Sequence, residues 1–270
     1  LFHRAPDGYS ITGALGETKV MRILWAGALA LALAGCASTE TVQFKPRAEQ
    51  QSLVRDGQAA LVSRRKNSIV MIRPAARQFQ TGARPVYVLA ISNISHTPLE
   101  FRVANVGVNQ TVNGSNVALK VITFEELATE ERNRQIAAAV MTGLAAGANS
   151  YSASQAGYYH STSTVTTPRG GMYQVQTTGY SPTAAAIAQS NATVQNEAMI
   201  AATVERGQQN MAALERGVIK DNTVLPGEWY GGQLHIQPLV SEEPGAKTYT
   251  ISVLVGSDRH EIDIAQVKTP

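Results

Sequence analysis

Apolar and polar side chains alternate along two separated parts of the chain, residues 58–123 and 223–266, and the part between them changes period. Residues 59–62 and 68–72 flank the turn formers Arg64-Arg65-Lys66-Asn67, which reads as a β-hairpin. A helix over 47–64 would also gather Leu53, Val54, Gly57 and Leu61 on one face. Residues 85–91 are rich in β-branched and aromatic side chains and run into a cluster of turn formers at 93–98. Residues 99–103 alternate with period two. Residues 106–112 and 117–122 are separated by Asn113-Gly114, a type I′ signal because both central residues of that turn need positive φ. In the second part, Pro226-Gly227 leads to Trp229, Tyr230 and a pair of glycines, after which Leu234 and Ile236 alternate with His235 and Gln237. Tyr249, Ile251, Val253 and Val255 form another inward face, followed by Ile262 and Ile264. Short strands at this spacing indicate an antiparallel sandwich or barrel, and the shared patterning of 58–123 and 223–266 favours a single Ig-like β-sandwich built from both.

The intervening residues, 124–222, predict a long antiparallel helical hairpin inserted between the strands, which makes the fold class α+β. Thr123-Phe124-Glu125-Glu126 is a capping box, in which the threonine hydroxyl and the Glu126 carboxylate satisfy each other's free amides. The first helix is expected to reach about residue 148, with Ile136, Val140, Leu144 and Gly147 as a buried stripe and Gly143 and Gly147 admitting a second helix. Ser181-Pro182 starts that second helix, with serine as cap and proline in the first turn. Its expected buried stripe is Ile200, Val204, Gly207, Met211, Leu214 and Val218.

The connection, residues 149–180, is crowded with Ser, Thr and Gly and holds Tyr151, Tyr158, Tyr159, Tyr173 and Tyr180. Long loops are commonly either functional or disordered. Residues 159–167 and 172–180 also read as two strands around Pro168-Arg169-Gly170-Gly171, a polar hairpin at the tip of the helices. Tyrosine among serine and glycine suits an adaptable contact surface, since tyrosine offers area at low entropic cost.

Upstream, Met21-Arg22 precedes an apolar run over 23–33 that is too short to span a bilayer and ends in Leu33-Ala34-Gly35-Cys36, the only cysteine. This resembles the signal peptide and lipobox of bacterial lipoproteins over residues 21–36. The resemblance implies diacylglycerol transfer to the Cys36 thiol, cleavage between Gly35 and Cys36, and acylation of the new amino terminus. Ala37 stands where an aspartate often signals inner-membrane retention in Gram-negative bacteria. By resemblance the address is therefore the outer membrane, lipid-anchored and facing the periplasm. Residues 1–20 begin without methionine and carry Pro6, Gly8 and several charges, so they read as an over-extended gene start. Residues 36–57, polar with one proline, read as the lipidated cysteine and a tether. The turn and glycine pair over 222–232 are also similar to β-sandwich lipoproteins of undefined function.

Composition narrows the remaining classes. The net charge is +3, and residues 1–35 remove three basic and two acidic residues, which leaves +2 and no footprint for a nucleic acid. With Cys36 acylated, no thiol remains for a disulfide or a thiolate metal site. Candidate chemistry is sparse. Ser63-Arg64-Arg65-Lys66 matches the Ser-x-x-Lys nucleophile pattern, but its companion motifs are absent. In the run 258–263, alternation puts His260 with Asp258 and the isoleucines, and Glu261 with Asp263 on the other face, so neither face holds a metal set and a solvated edge strand is expected. The pairs Glu125-Glu126, Glu130-Glu131 and Glu242-Glu243 read as solvated charge, and the basic turn 64–66 as solvated or facing anionic headgroups.

The sequence thus predicts a non-enzymatic envelope lipoprotein with no cofactor, no metal and no catalytic residue. It would act on a protein partner or on another copy of itself through the helical hairpin and its tip. A second reading is a module for peptidoglycan or lipopolysaccharide with a groove near Trp229 and Tyr230, and a third is a periplasmic hydrolase.

Overall fold

A computed structural model describes residues 38–55, 57–240 and 246–269. The expected signal segment, Gly35 and Cys36 lie outside the described residues. The chain is mixed α and β, with its named strand pairs antiparallel. One sheet has seven strands. Its path runs β12 (Asn222–Val224), β7 (Leu99–Val112), β14 (Lys247–Val255), β15 (Asp258–Lys268), β1 (Thr39–Lys45), β5 (Phe79–Gln80), with β8 (Ser115–Leu119) hydrogen-bonded to β7. The six-stranded sheet runs β2 (Gln50–Arg55), β3 (Gln58–Arg64), β4 (Ser68–Pro74), β6 (Val86–Asn93), β13 (Trp229–Ile236), β9 (Val121–Ile122). Strict alternation builds both: β4 and β14 bury every second residue along their whole length. The inward faces meet in one apolar cluster, with Leu61, Ile72, Tyr87 and Leu89 from one sheet and Phe101, Val108, Ile251 and Ile262 from the other.

Residues 36–57 are not a tether where they are described. β1 lies between β15 and β5, and β2 pairs with β3, which also removes the alternative helix over 47–64. The polar composition misled because Glu40 and Gln50 point inward and are hydrogen-bonded there. Glu40 Oε1 accepts from Lys247 Nζ at 2.8 Å, and Gln50 Nε2 donates to the Glu261 carbonyl at 2.6 Å. The predicted type I′ turn is present, with Asn113 and Gly114 at φ 49° and 76°. β15 keeps the predicted alternation but is an interior strand. Arg47 grips the Asp263 carboxylate with Nε at 2.8 Å and Nη2 at 2.9 Å, and pairs with Glu261. This bidentate contact holds Asp263 below the usual carboxylate range.

Two helices follow β9, α1 (Phe124–Gln155) and α2 (Pro182–Gly217). Both predicted caps form. Thr123 Oγ1 accepts from Glu126 N, and Glu126 accepts from Thr123 N at 3.3 Å, while Ser181 Oγ accepts from Ala184 N with Pro182 in the first turn. α2 returns to the sheets across β13, where Ile219 N donates to the Gln233 carbonyl at 3.0 Å. Gly232 makes that crossing possible, because a Cβ there would stand 2.7 Å from Ile219 N and 2.9 Å from the Gly217 carbonyl oxygen. Backbone cannot yield as a side-chain end can. Gly232→Ala is therefore expected to cost about 1–3 kcal/mol, read as a lowered thermal midpoint; an unchanged midpoint would show that the crossing adjusts freely.

Candidate interaction surface

α1 and α2 contact each other through small and polar groups. Gln135 Nε2 donates to the Gly207 carbonyl at 2.9 Å, Thr142 and Thr203 hydroxyls meet at 3.0 Å, and Asn149 Nδ2 donates to Asn196 Oδ1 at 3.0 Å. Nearer the sheets, the buried Glu131 carboxylate accepts from Asn210 at 3.1 Å and Gln135 at 3.2 Å and is paired with Arg134; burial alone would raise its pKa, but these bonds together lower it. The residue numbers fall on one helix as they rise on the other, so the two run antiparallel over these contacts.

The expected buried stripes are corrected by this arrangement. Ile136, Val140 and Leu144 are 64%, 57% and 65% exposed, and Ile200 and Val204 are also exposed. Among the described residues each helix has a single helical neighbour, and the hydrogen bonds facing that neighbour come from Gln, Thr, Asn and Gly. The apolar stripe consequently turns outward. Of the second stripe only Gly207 and Val218 are buried, with Met211 and Leu214 half-buried. Gly143 and Gly147 likewise face open space, since a Cβ at either would meet nothing within 4 Å.

Between the helices, β10 (Tyr158–Thr166) and β11 (Met172–Tyr180) pair along their full length as a two-stranded sheet. The turn is closed by Thr167, whose amide donates to the Gly171 carbonyl at 2.8 Å, and Gly170 takes φ 80°. Every residue of the two strands is exposed except Gly179, which is half-buried beneath the Tyr159 ring. Tyr158 and Tyr180 are directly opposite, their ring centroids 5.0 Å apart and tilted by 57°. Tyr151 and Tyr173 are among the most exposed large apolar side chains. The structure therefore gathers Tyr158, Tyr159, Tyr173 and Tyr180 on one hairpin, with Tyr151 a turn before it on α1.

Trp229 and Tyr230 belong elsewhere, on β13. Trp229 is exposed, whereas the Tyr230 hydroxyl accepts from the Lys220 amide and donates to its carbonyl, both at 2.9 Å. Tyr230 thereby fixes the chain leaving α2. The basic turn is partly spent too, since Arg65 pairs with Glu49 and donates to the Arg259 carbonyl at 3.2 Å.

A buried polar chain escaped the sequence reading. The Ser68 hydroxyl donates to Asp258 Oδ2 at 2.8 Å. Ser68 Oγ must then accept from His260 Nε2 at 2.9 Å, which leaves Nδ1 to accept from Ser63 Oγ at 3.0 Å. Ser63 in turn accepts from Gln50 Nε2 at 3.4 Å. Burial is the chief cause that lowers the His260 pKa from 6.5 to about 4; Asp258 opposes it and Arg65 adds to it. Ser63 and Ser68 lie on the six-stranded sheet and His260 and Asp258 on the seven-stranded one, so the chain of bonds bolts the two sheets together. Parity was the available signal: Ser63 shares the inward face of Leu61, and Ser68 that of Val70 and Ile72.

An open hollow of about 490 Å³ at the start of α1 is lined by Lys120, Glu125, Glu126 and Glu130 among others. Among the described residues, no group of three His, Cys, Asp or Glu side chains is placed to hold a metal, and no helix is long and apolar enough to cross a membrane. No family model, no curated protein and no solved structure matches the chain.

Proposed function

We propose that this chain is a membrane-anchored envelope lipoprotein that works by binding a protein partner. Its two sheets form an Ig-like sandwich, its helices form a helical hairpin inserted in that sandwich, and the tyrosine-bearing strands are the contact tip. Acylated Cys36 holds it to the outer membrane on the periplasmic side, so the helices are not needed as an anchor.

One observation carries the reading. From Gln135 to Asn196 the only Lys, Arg, Asp or Glu is Arg169, and this neutral stretch exposes Ile136, Val140, Leu144, Tyr158 and Tyr173. A large exposed apolar area beside polar hydroxyls and amides is the composition of a surface made to be covered. Solvated charge, by contrast, is concentrated on the sheets and at the base of the helices.

The test is excision of residues 158–180 with a short glycine linker. The shortened protein is expected to keep its thermal midpoint, because those residues add nothing to the apolar cluster between the sheets, and to lose crosslinked adducts in intact membranes. Undiminished adducts would sink the tip as the contact site. In the same cells, Cys36→Ser is expected to abolish incorporation of an alkyne-labelled fatty acid, and persistent labelling would refute the anchor.

A further inference from the structure

The sheet formed by β10 and β11 has two strands and, among the described residues, no third partner on either side. Each outer edge therefore carries roughly four amide and four carbonyl groups directed away from the hairpin. Sheets with such edges normally blunt them with lysine, proline or inward charge. Neither strand contains any charged residue or proline. An isolated two-stranded hairpin is also marginal in water unless it gains a third strand or a packing surface.

We propose that copies of this chain assemble side by side, the outer edge of β10 in one copy pairing antiparallel with the outer edge of β11 in the next. This rests on the reading of the hairpin as the contact tip and names its occupant. Three features select a second copy. The two edges match in length, since both strands have nine residues. Pairing β10 with a neighbour's β11 continues the up-and-down order of the hairpin, so all tips point the same way, as copies tethered to one membrane face must. The two strands also carry no Lys, Arg, Asp or Glu, so their edges meet without repulsion, whereas an anionic polymer or headgroup would find only Arg169 in the turn.

The size is adequate as well. Strands of nine residues are ~30 Å long and helices of 32 and 36 residues ~50 Å. A neighbour running beside both would bury on the order of 800 Å² on each copy, the usual area of a stable interface. The outward side chains Ile136, Val140 and Leu144 supply the apolar part of that contact. Because the joined edges are different, the assembly is head-to-tail and ends only by closing into a ring.

Cysteine pairing tests this in the full-length chain, whose only natural cysteine is Cys36. Thr162→Cys is co-expressed in turn with Gln174→Cys, Gln176→Cys and Thr178→Cys, each on a separate copy. At least one combination is expected to give a disulfide-linked dimer, while Thr162→Cys alone gives none. Light scattering in mild detergent should give a whole-number multiple of one chain, falling to one chain when 158–180 are excised. Dimers of Thr162→Cys alone would show like edges meeting and overturn the head-to-tail order. The mass of a single chain, with no mixed dimer, would overturn self-assembly. If excision still removes crosslinked adducts in membranes, the tip then serves a different protein; if it does not, the contact-tip reading falls as well. Flotation of the single chain with phosphatidylethanolamine–phosphatidylglycerol vesicles, lost on excision, would reassign the tip to lipid.

Discussion

Lys247→Met is expected to lower the unfolding free energy by about 3–5 kcal/mol. Lys247 Nζ lies 2.8 Å from Glu40 Oε1, and the two side chains are 6% and 1% exposed. Gln266 Nε2 donates to the other carboxylate oxygen at 2.6 Å, and Gln266 Oε1 accepts from the Tyr249 hydroxyl at 3.2 Å. Tyr249 is met in turn by the Tyr87 hydroxyl from the opposite sheet, and burial pushes both phenols up. Without the ammonium, a carboxylate remains in a dry site with one amide donor. The loss is thus mostly the penalty of an unpartnered charge and not the net worth of the ion pair. Glu40→Gln with Lys247→Met removes both charges and is expected to recover more than half of it. Urea unfolding at neutral pH reads this as a lowered midpoint at unchanged slope; a loss below ~1 kcal/mol would mean that water reaches the pair.

The second large effect is expected with acid. His260 is neutral when folded, with its pKa lowered from 6.5 to about 4. Between those values the unfolded chain binds more protons than the folded one, so stability rises with pH across the window. The contribution is fully present above about 6.5 and is lost as the pH falls through about 4. Its slope reaches ~1.4 kcal/mol per pH unit and its total is about 3 kcal/mol. Carboxylates held low, such as Asp263 with Arg47 and Glu130 with Arg84, lose their contributions further down in pH. His260→Gln isolates the histidine: the variant should unfold more easily at pH 7 yet show a flatter profile between pH 4 and 6.5. Equal slopes in the two proteins would remove His260 as the source.

Both effects arise at polar residues on inward positions of strands, and this is where reading the sequence had its limit. Alternation identified β4, β14 and the face that His260 shares with the isoleucines, because period two follows from the pleat and needs no tertiary information, but not that this strand is interior. The Asn113-Gly114 turn and both helix caps were legible for the same reason, being contests between neighbouring backbone groups. The polarity of Glu40 and Gln50 points to a solvated tether, yet both are buried. What satisfies them are Lys247 and Glu261, about two hundred positions away in the chain.

The helices mark the opposite failure. Ile136, Val140 and Leu144, like Ile200 and Val204, recur at helical spacing, which points to a packed face, yet all five are exposed. A moment along one helix says only that its faces differ; it does not say which face a neighbour will occupy. Here Gln135, Thr142, Asn149 and Gly207 form the contact, since paired amides, hydroxyls and a glycine allow close approach, and the apolar side is left outward.

By itself, then, the sequence determined local conformations: most strands of 58–123 and 223–266, the turn at Asn113-Gly114 and the capped helix starts, while the tyrosine-rich connection stayed open between a hairpin and a loop. The tertiary structure alone decided that residues 39–45 and 50–55 belong to the sheets, that His260 and Lys247 are buried, and that the span from Gln135 to Asn196, in which Arg169 is the one Lys, Arg, Asp or Glu, leaves Ile136, Val140 and Leu144 exposed. Local conformation depends on groups a few residues apart. Burial depends on which distant surfaces meet, and only the folded chain brings those together.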